Sequence, residues 1–145
     1  MSITAWSLVR FVHVLAAIVW VGGQLTLSLV VLPVLRSDLA PDVRAPIAQK
    51  AARRYALIVN VAVLPLSLIT GISLAWHRGV TFGTFADPGY GQLLGIKLFL
   101  VVISIVLAAA HGIVAMKSPT RARPMALAGL ATSVGIIVYA TALVP

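Results

Sequence analysis

Four long apolar stretches, separated by short polar joins, account for most of the chain. They run from Leu8 to Leu35, from Tyr55 to Trp76, from Leu93 to Met116 and from Met125 to Leu143. A helix of about 20 apolar residues crosses the roughly 30 Å hydrocarbon core of a bilayer, so each stretch predicts one spanning helix. The pattern predicts an all-α fold, an integral membrane antiparallel four-helix bundle, with residues 1–145 as a single transmembrane domain.

Composition supports the same class of protein. Of the 145 residues, 61% are hydrophobic and 10% are charged, which excludes soluble enzymes and DNA-binding domains because no soluble core of this length buries so much apolar surface. The net charge of +8 arises from cations that flank the apolar stretches, so we expect the lipid bilayer as partner and no nucleic acid. The chain has no cysteine, which leaves histidine, methionine and carboxylate as metal ligands.

The cations also predict an orientation. Those of the first and third joins are Arg36, Arg44, Lys50, Arg53 and Arg54, then Lys117, Arg121 and Arg123, whereas the second join contains Arg78. The positive-inside rule therefore predicts a multi-pass protein of a bacterial-type inner (plasma) membrane with both termini outside. The first stretch is too long for a signal peptide, so we expect it to remain in the mature protein. The basic segment from Ala45 to Arg54 is compatible with a short surface helix that runs into the second stretch, and its cations are either an orientation signal or a lipid-headgroup site.

Local features inside the stretches concern helix packing. Pro65, in the middle of the second stretch, predicts a kink because it removes one backbone donor. Small residues let membrane helices approach closely, and their faces are compatible with a homodimer. Those residues are Gly22, Gly23, Gly71, Gly112, Gly129, Ser133 and Gly135.

Ionisable side chains at membrane depth are costly and mark candidate sites. His13, His77 and Lys97 are predicted to share one layer near the outer face, while His111 lies in the opposite half, about 21 Å from Lys97 along the third helix. Arg10 and Arg78 add positive charge at the rim of the outer layer, and Trp20 is deep enough to form the wall of a cofactor site.

This layout suits a b-type haem, whose iron takes axial imidazole ligands while its porphyrin occupies an apolar groove between helices. His13 is predicted as one axial ligand and His77 as its partner, while Arg10, Lys97 and Arg78 pair with the propionates. His111 would serve a second haem or a metal. Imidazoles also bind copper. The structural alternatives are interfacial placement of His77, snorkelling of Lys97, and interhelical hydrogen bonds from His13 and His111 to Ser, Asn or Gln.

The first helix carries a family resemblance in the string F-V-H-V-L-A-A-I-V-W-V-G-G-Q from Phe11 to Gln24. It resembles CopD-type copper-resistance membrane proteins and HemJ-type protoporphyrinogen oxidases, as do the R-R-Y and T-G of the second helix and the G-I-K-L and A-H-G of the third. The HemJ resemblance implies haem b, oxidation of protoporphyrinogen, and functional roles for His13 and Lys97, the latter catalytic. The CopD resemblance implies copper handling across the inner membrane.

The leading functional hypothesis is a haem-dependent membrane oxidoreductase, containing one or two haem b groups, that exchanges electrons with a small-molecule redox substrate, a quinone or a second metal centre. The alternative is a copper permease or copper-binding protein whose ion path follows His13, Gln24, Ser104 and His111. A third hypothesis is a structural membrane subunit with hydrogen-bonded histidines.

Overall fold

The architecture is that of a helical membrane protein, seen in a computed structural model. The structure describes residues 4–117 and 119–143, except the side chains of residues 116–122. Its long helices are α1 (Ala5–Asp38), α2 (Pro41–His77), α3 (Tyr90–Lys117) and α4 (Pro119–Ala142), and the described residues contain no strand. Each helix contains a segment long and apolar enough to cross a membrane, which confirms the predicted all-α membrane fold.

The helix boundaries differ from the apolar stretches mainly at the start of α2. Its helix begins at Pro41, whereas the apolar stretch begins at Tyr55. A proline at the first turn and an acidic residue there, Asp42, favour helix initiation at this point. The chain divides into two compact units, Met1–Gly79 and Val80–Pro145. The prediction of one domain over 1–145 therefore stays a prediction.

The first unit is an antiparallel helix pair, α1 against α2. Two contacts share one register, Trp6 against His77 and His13 against Thr70, since seven residues separate them on each helix. The Tyr55 hydroxyl makes a further contact, with the backbone carbonyl of Trp20. The larger buried side chains of this unit, Trp20, Val21, Val59 and Val63, lie near the middle of the two helices.

Wide π-helical turns interrupt both helices of this unit. Two of them, Leu27–Val31 and Val59–Val63, end two residues before Pro33 and Pro65. A proline has no N–H and its ring crowds the carbonyl four residues earlier, so a wide turn before it relieves the clash. The sequence predicted a kink at Pro65; the structure shows a π turn that ends two residues before it, and the kink stays a prediction. The third π turn, Ile18–Gly22, contains no proline and belongs to the candidate site.

The second unit pairs α3 with α4, preceded by a short 3-10 turn, Phe82–Ala86. Ser104 and Ser133 are 1% and 0% exposed and form a 3.1 Å hydrogen bond between the two helices. A side-chain hydrogen bond of this kind stabilises helix association in membranes because hydrocarbon offers the two hydroxyls no other partner. The third-join cations Lys117 and Arg121 lie outside the described side chains.

Candidate functional site between the first two helices

His13 is held against α2 by two neighbouring residues. Its Nδ1 lies 2.9 Å from Oγ1 of Thr70, which is buried. Gly71 lets the two helices approach at this point, since a Cβ placed on it would lie 3.1 Å from Cε1 of the His13 ring. The imidazole therefore packs directly on the α2 backbone, and its orientation is set by the adjacent hydroxyl.

The Thr70 hydroxyl also determines which ring nitrogen carries a proton. It lies 2.6 Å from the Leu66 carbonyl oxygen, which can only accept, so the single hydroxyl proton is donated there. Oγ1 must then accept from His13, which places a proton on Nδ1. In the neutral ring the lone pair consequently resides on Nε2, the ring nitrogen that does not contact Thr70. In metal-binding histidines, a hydrogen bond from the ring nitrogen that does not bind the metal fixes the tautomer and the orientation of the ring.

A second polar contact joins the same helices at the π turn of α1. The Tyr55 hydroxyl donates to the carbonyl of Trp20, which lies within that π turn, Ile18–Gly22. The Tyr55 ring thereby packs against the backbone of α1. Gly23 makes room for it, because a Cβ on Gly23 would overlap the Tyr55 ring.

His77 has a separate environment at the end of the pair. Its ring stacks on Trp6, with ring centroids 3.8 Å apart and an interplanar angle of 7°. In α1 and in α2, seven residues separate this stack from the His13–Thr70 contact, which corresponds to about 10 Å along the helices. The described contacts do not bring His13 and His77 together, and shared axial ligation by these two residues stays a prediction.

Two buried polar atoms on α1 and α2 lack a hydrogen-bond partner among the described residues. They are Oε1 of Gln24 and Oγ of Ser67. Ser67 is three residues before Thr70 on α2, and Gln24 directly follows Gly23, which packs against the Tyr55 ring, on α1. Buried polar atoms in membrane proteins are normally satisfied by protein, water or ligand, so both atoms mark places where a further polar group fits.

The other predicted site residues are distributed over both units. Arg10 is exposed one turn before His13, and Arg78 is exposed at the end of α2. Lys97 and His111 are half-buried on α3 in the second unit, and each has an interaction partner. The common outer layer of His13, His77 and Lys97 remains a prediction. The described residues contain no group of three or more His, Cys, Asp or Glu side chains that would hold a metal ion.

Sequence reasoning missed two residues, Thr70 and Tyr55, that form the hydrogen bonds between α1 and α2 at this site. Thr70 was noticed only as part of a T-G pair, and Tyr55 only as the start of an apolar stretch. A usable signal existed in the glycines: Gly71 and Gly23 each stand where a ring from the facing helix packs. His13 and Thr70 are 57 positions apart, and they meet only because of how α1 packs against α2. The spacing of residues along the sequence does not reveal this pairing.

Together these features define a multi-pass α-helical membrane protein with a hydrogen-bonded histidine between its first two helices. The copper resistance protein D (CopD) family matches residues 49–144, more than half of the chain, and the chain belongs to this family. The match includes Thr70, Gly71, Lys97 and His111, while His13 precedes it.

An uncharacterized protein of Aquifex aeolicus (strain VF5) is 34% identical over 96 residues. The alignment covers 66% of this chain and 63% of that relative, so the chain spans less than two thirds of the length of the curated relative it matches. No solved structure matches the chain.

Proposed function

We propose that this CopD-family chain is a membrane redox protein that holds haem b through Nε2 of His13. The observation that carries the proposal is the relay from His13 Nδ1 to Thr70 and on to the Leu66 carbonyl. It gives a membrane-embedded imidazole one defined tautomer and one defined orientation, with the lone pair on the nitrogen that ligates iron. A bound haem would supply one-electron chemistry.

The donor set fits haem better than a bare metal ion. Porphyrin supplies four nitrogens to its iron and needs only one or two protein ligands, whereas a protein site for an ion needs a cluster of side chains. Among the described residues no such cluster of three His, Cys, Asp or Glu is present. Arg10, on the same helix as His13, is an exposed cation suited to a propionate.

The remaining predicted residues take supporting roles in this proposal. His77 and Arg78 are candidates for a second ligand and a propionate partner, and Trp20 for a wall of the porphyrin site. Lys97 is the proposed catalytic group, which pairs with an acidic group of the redox substrate or donates a hydrogen bond to a quinone oxygen. His111 is the candidate ligand for a second haem or a metal.

Absorption spectroscopy of the protein purified in detergent tests the proposal. We expect a Soret band, and sharp alpha and beta bands on reduction, that disappear in His13→Ala. His77→Ala and His111→Ala are compared with His13→Ala in the same assay. If one of these two variants keeps its haem but changes the iron from low to high spin, the residue replaced in it is the second ligand. Colourless protein after expression with sufficient haem, or an unchanged spectrum in His13→Ala, would contradict the proposal.

Copper handling is the second candidate, and the CopD family match favours it. Copper would be the cargo, and the imidazoles of His13 and His111 would be its transient ligands. The buried, unpartnered Oε1 of Gln24 is a further polar group for such a path. Colourless protein that binds Cu(I) or Cu(II) in proportion to His13 and His111 would select this function over haem binding.

A further inference from the structure

A basic patch on α2, formed by Lys50, Arg53 and Arg54, is independent of the haem or copper proposal. All three side chains are exposed, and they lie immediately before Tyr55, where the apolar part of α2 begins. Helix residues just outside an apolar span lie at the depth of the lipid headgroups. The basic patch is therefore placed where phosphate groups of the bilayer are found.

The patch has no carboxylate beside it on its own helix. The chain contains three acidic residues, Asp38, Asp42 and Asp87, and of these only Asp42 lies on α2. Asp42 is eight residues before Lys50, about 12 Å away along the axis. The three cations are therefore not neutralised by neighbouring residues of α2.

The face that carries the cations continues into the membrane as an apolar surface. Lys50, Arg54 and Leu57 follow one another at intervals of four and three residues, so they lie on one side of the helix, and Val61 comes four residues later, within the π turn Val59–Val63. Leu57 is 62% exposed and Val61 is 69% exposed. This order, cations first and open apolar side chains next, matches a phospholipid, whose anionic headgroup lies at the surface and whose acyl chains run inward.

We propose that Lys50, Arg53 and Arg54 bind the phosphate of an anionic phospholipid whose acyl chain lies along Leu57 and Val61. The order of contacts fits a phospholipid, and the charge of the patch selects an anionic headgroup over a zwitterionic one. Each cation near a membrane surface contributes about fivefold to the preference for anionic lipid. The bound lipid anchors α2 in the bilayer next to the Tyr55 contact with α1.

Native mass spectrometry of the full chain tests the proposed lipid site. The protein is purified in mild detergent and equilibrated with equal amounts of phosphatidylglycerol and phosphatidylcholine. We expect retained phosphatidylglycerol on the unmodified protein and a loss of about fivefold for each cation removed in the series Arg54→Gln, R53Q/R54Q and K50Q/R53Q/R54Q. The charge-preserving variant R53K/R54K should keep most of the retention. Arg36→Gln removes the same charge at an exposed position outside the patch and should leave retention unchanged.

Three results would overturn the proposal. Equal retention of the two lipids would exclude selectivity for negative charge. An equal loss in Arg36→Gln would show only general attraction to a cationic chain. Unchanged retention in the triple variant would mean that the cations serve another partner, such as an acidic protein segment. If the triple variant does not fold, the comparison of Arg54→Gln with Arg36→Gln still decides the result. Because no readout depends on haem or copper, failure here leaves the proposed function untouched.

Discussion

The hydroxyl of Thr70 acts on His13 through a single proton. Because that proton is donated to the Leu66 carbonyl, Oγ1 is left as an acceptor and the His13 ring must donate from Nδ1. Serine would provide the same oxygen, and valine would keep the shape of threonine without it. The two substitutions therefore separate the hydrogen bond from the packing of this position.

We predict that Thr70→Val lowers the affinity of the haem or copper site by about 10- to 100-fold, because an unsupported imidazole loses its fixed tautomer and orientation. Thr70→Ser should retain most of the affinity. Titration of the apoprotein with hemin, or with Cu(I), measures the effect. Thr132→Val is the matched control, since the Thr132 hydroxyl also bonds to a carbonyl of its own helix, that of Gly129. Equal losses in Thr70→Val and Thr132→Val would contradict the assigned role.

At the scale of helices, one glycine determines whether the Tyr55 ring can pack against the backbone of α1. A Cβ on Gly23 would overlap the Tyr55 ring, whereas a Cβ on the neighbouring Gly22 would meet nothing within 4 Å. The pair gives a comparison at adjacent positions of one helix, and both substitutions add the same single carbon.

We predict that Gly23→Ala lowers the free energy of unfolding by about 1–3 kcal/mol, because the displaced Tyr55 ring can no longer donate to the Trp20 carbonyl. Gly22→Ala should be neutral or stabilising by up to about 1 kcal/mol, since alanine has the higher helix propensity. Denaturant unfolding in mixed micelles, followed by helical circular dichroism, measures both. If Gly22→Ala is as harmful as Gly23→Ala, the Tyr55 contact is not the cause.

The buried serine pair between α3 and α4 supports a second prediction at this scale. Ser104→Ala and Ser133→Ala should each destabilise the protein modestly, and the coupling between them should be about 0.6 kcal/mol, the usual value for interhelical hydrogen bonds in membranes. A double-mutant cycle in the same unfolding assay isolates this quantity. Strictly additive effects would show that the two hydroxyls contribute only through packing.

At the scale of the whole molecule, hydropathy predicted the class of fold and the identity of the four spanning helices because that signal is local in sequence. The basic segment 45–54 was compatible with a helix that runs into the second span, and α2 begins still earlier, at Pro41, because a helix continues through polar residues once it has started. Hydropathy identified His13 as a candidate but not Thr70 as its partner. Pairing across 57 residues depends on the register of α1 and α2, which the π turns shift in ways that spacing alone does not reveal.

The distribution of cations supports a final prediction, on orientation. The joins after the first and third helices are basic and the second join contains only Arg78, so the positive-inside rule places residues 80–89 outside the cell membrane and Gln49 inside. Because the chain has no cysteine, Gly83→Cys and Gln49→Cys each introduce one exposed, unambiguous thiol. A membrane-impermeant maleimide should label Gly83→Cys in intact cells and Gln49→Cys only after permeabilisation. The reverse pattern would invert the topology, and with it the side of the membrane from which His13 is reached.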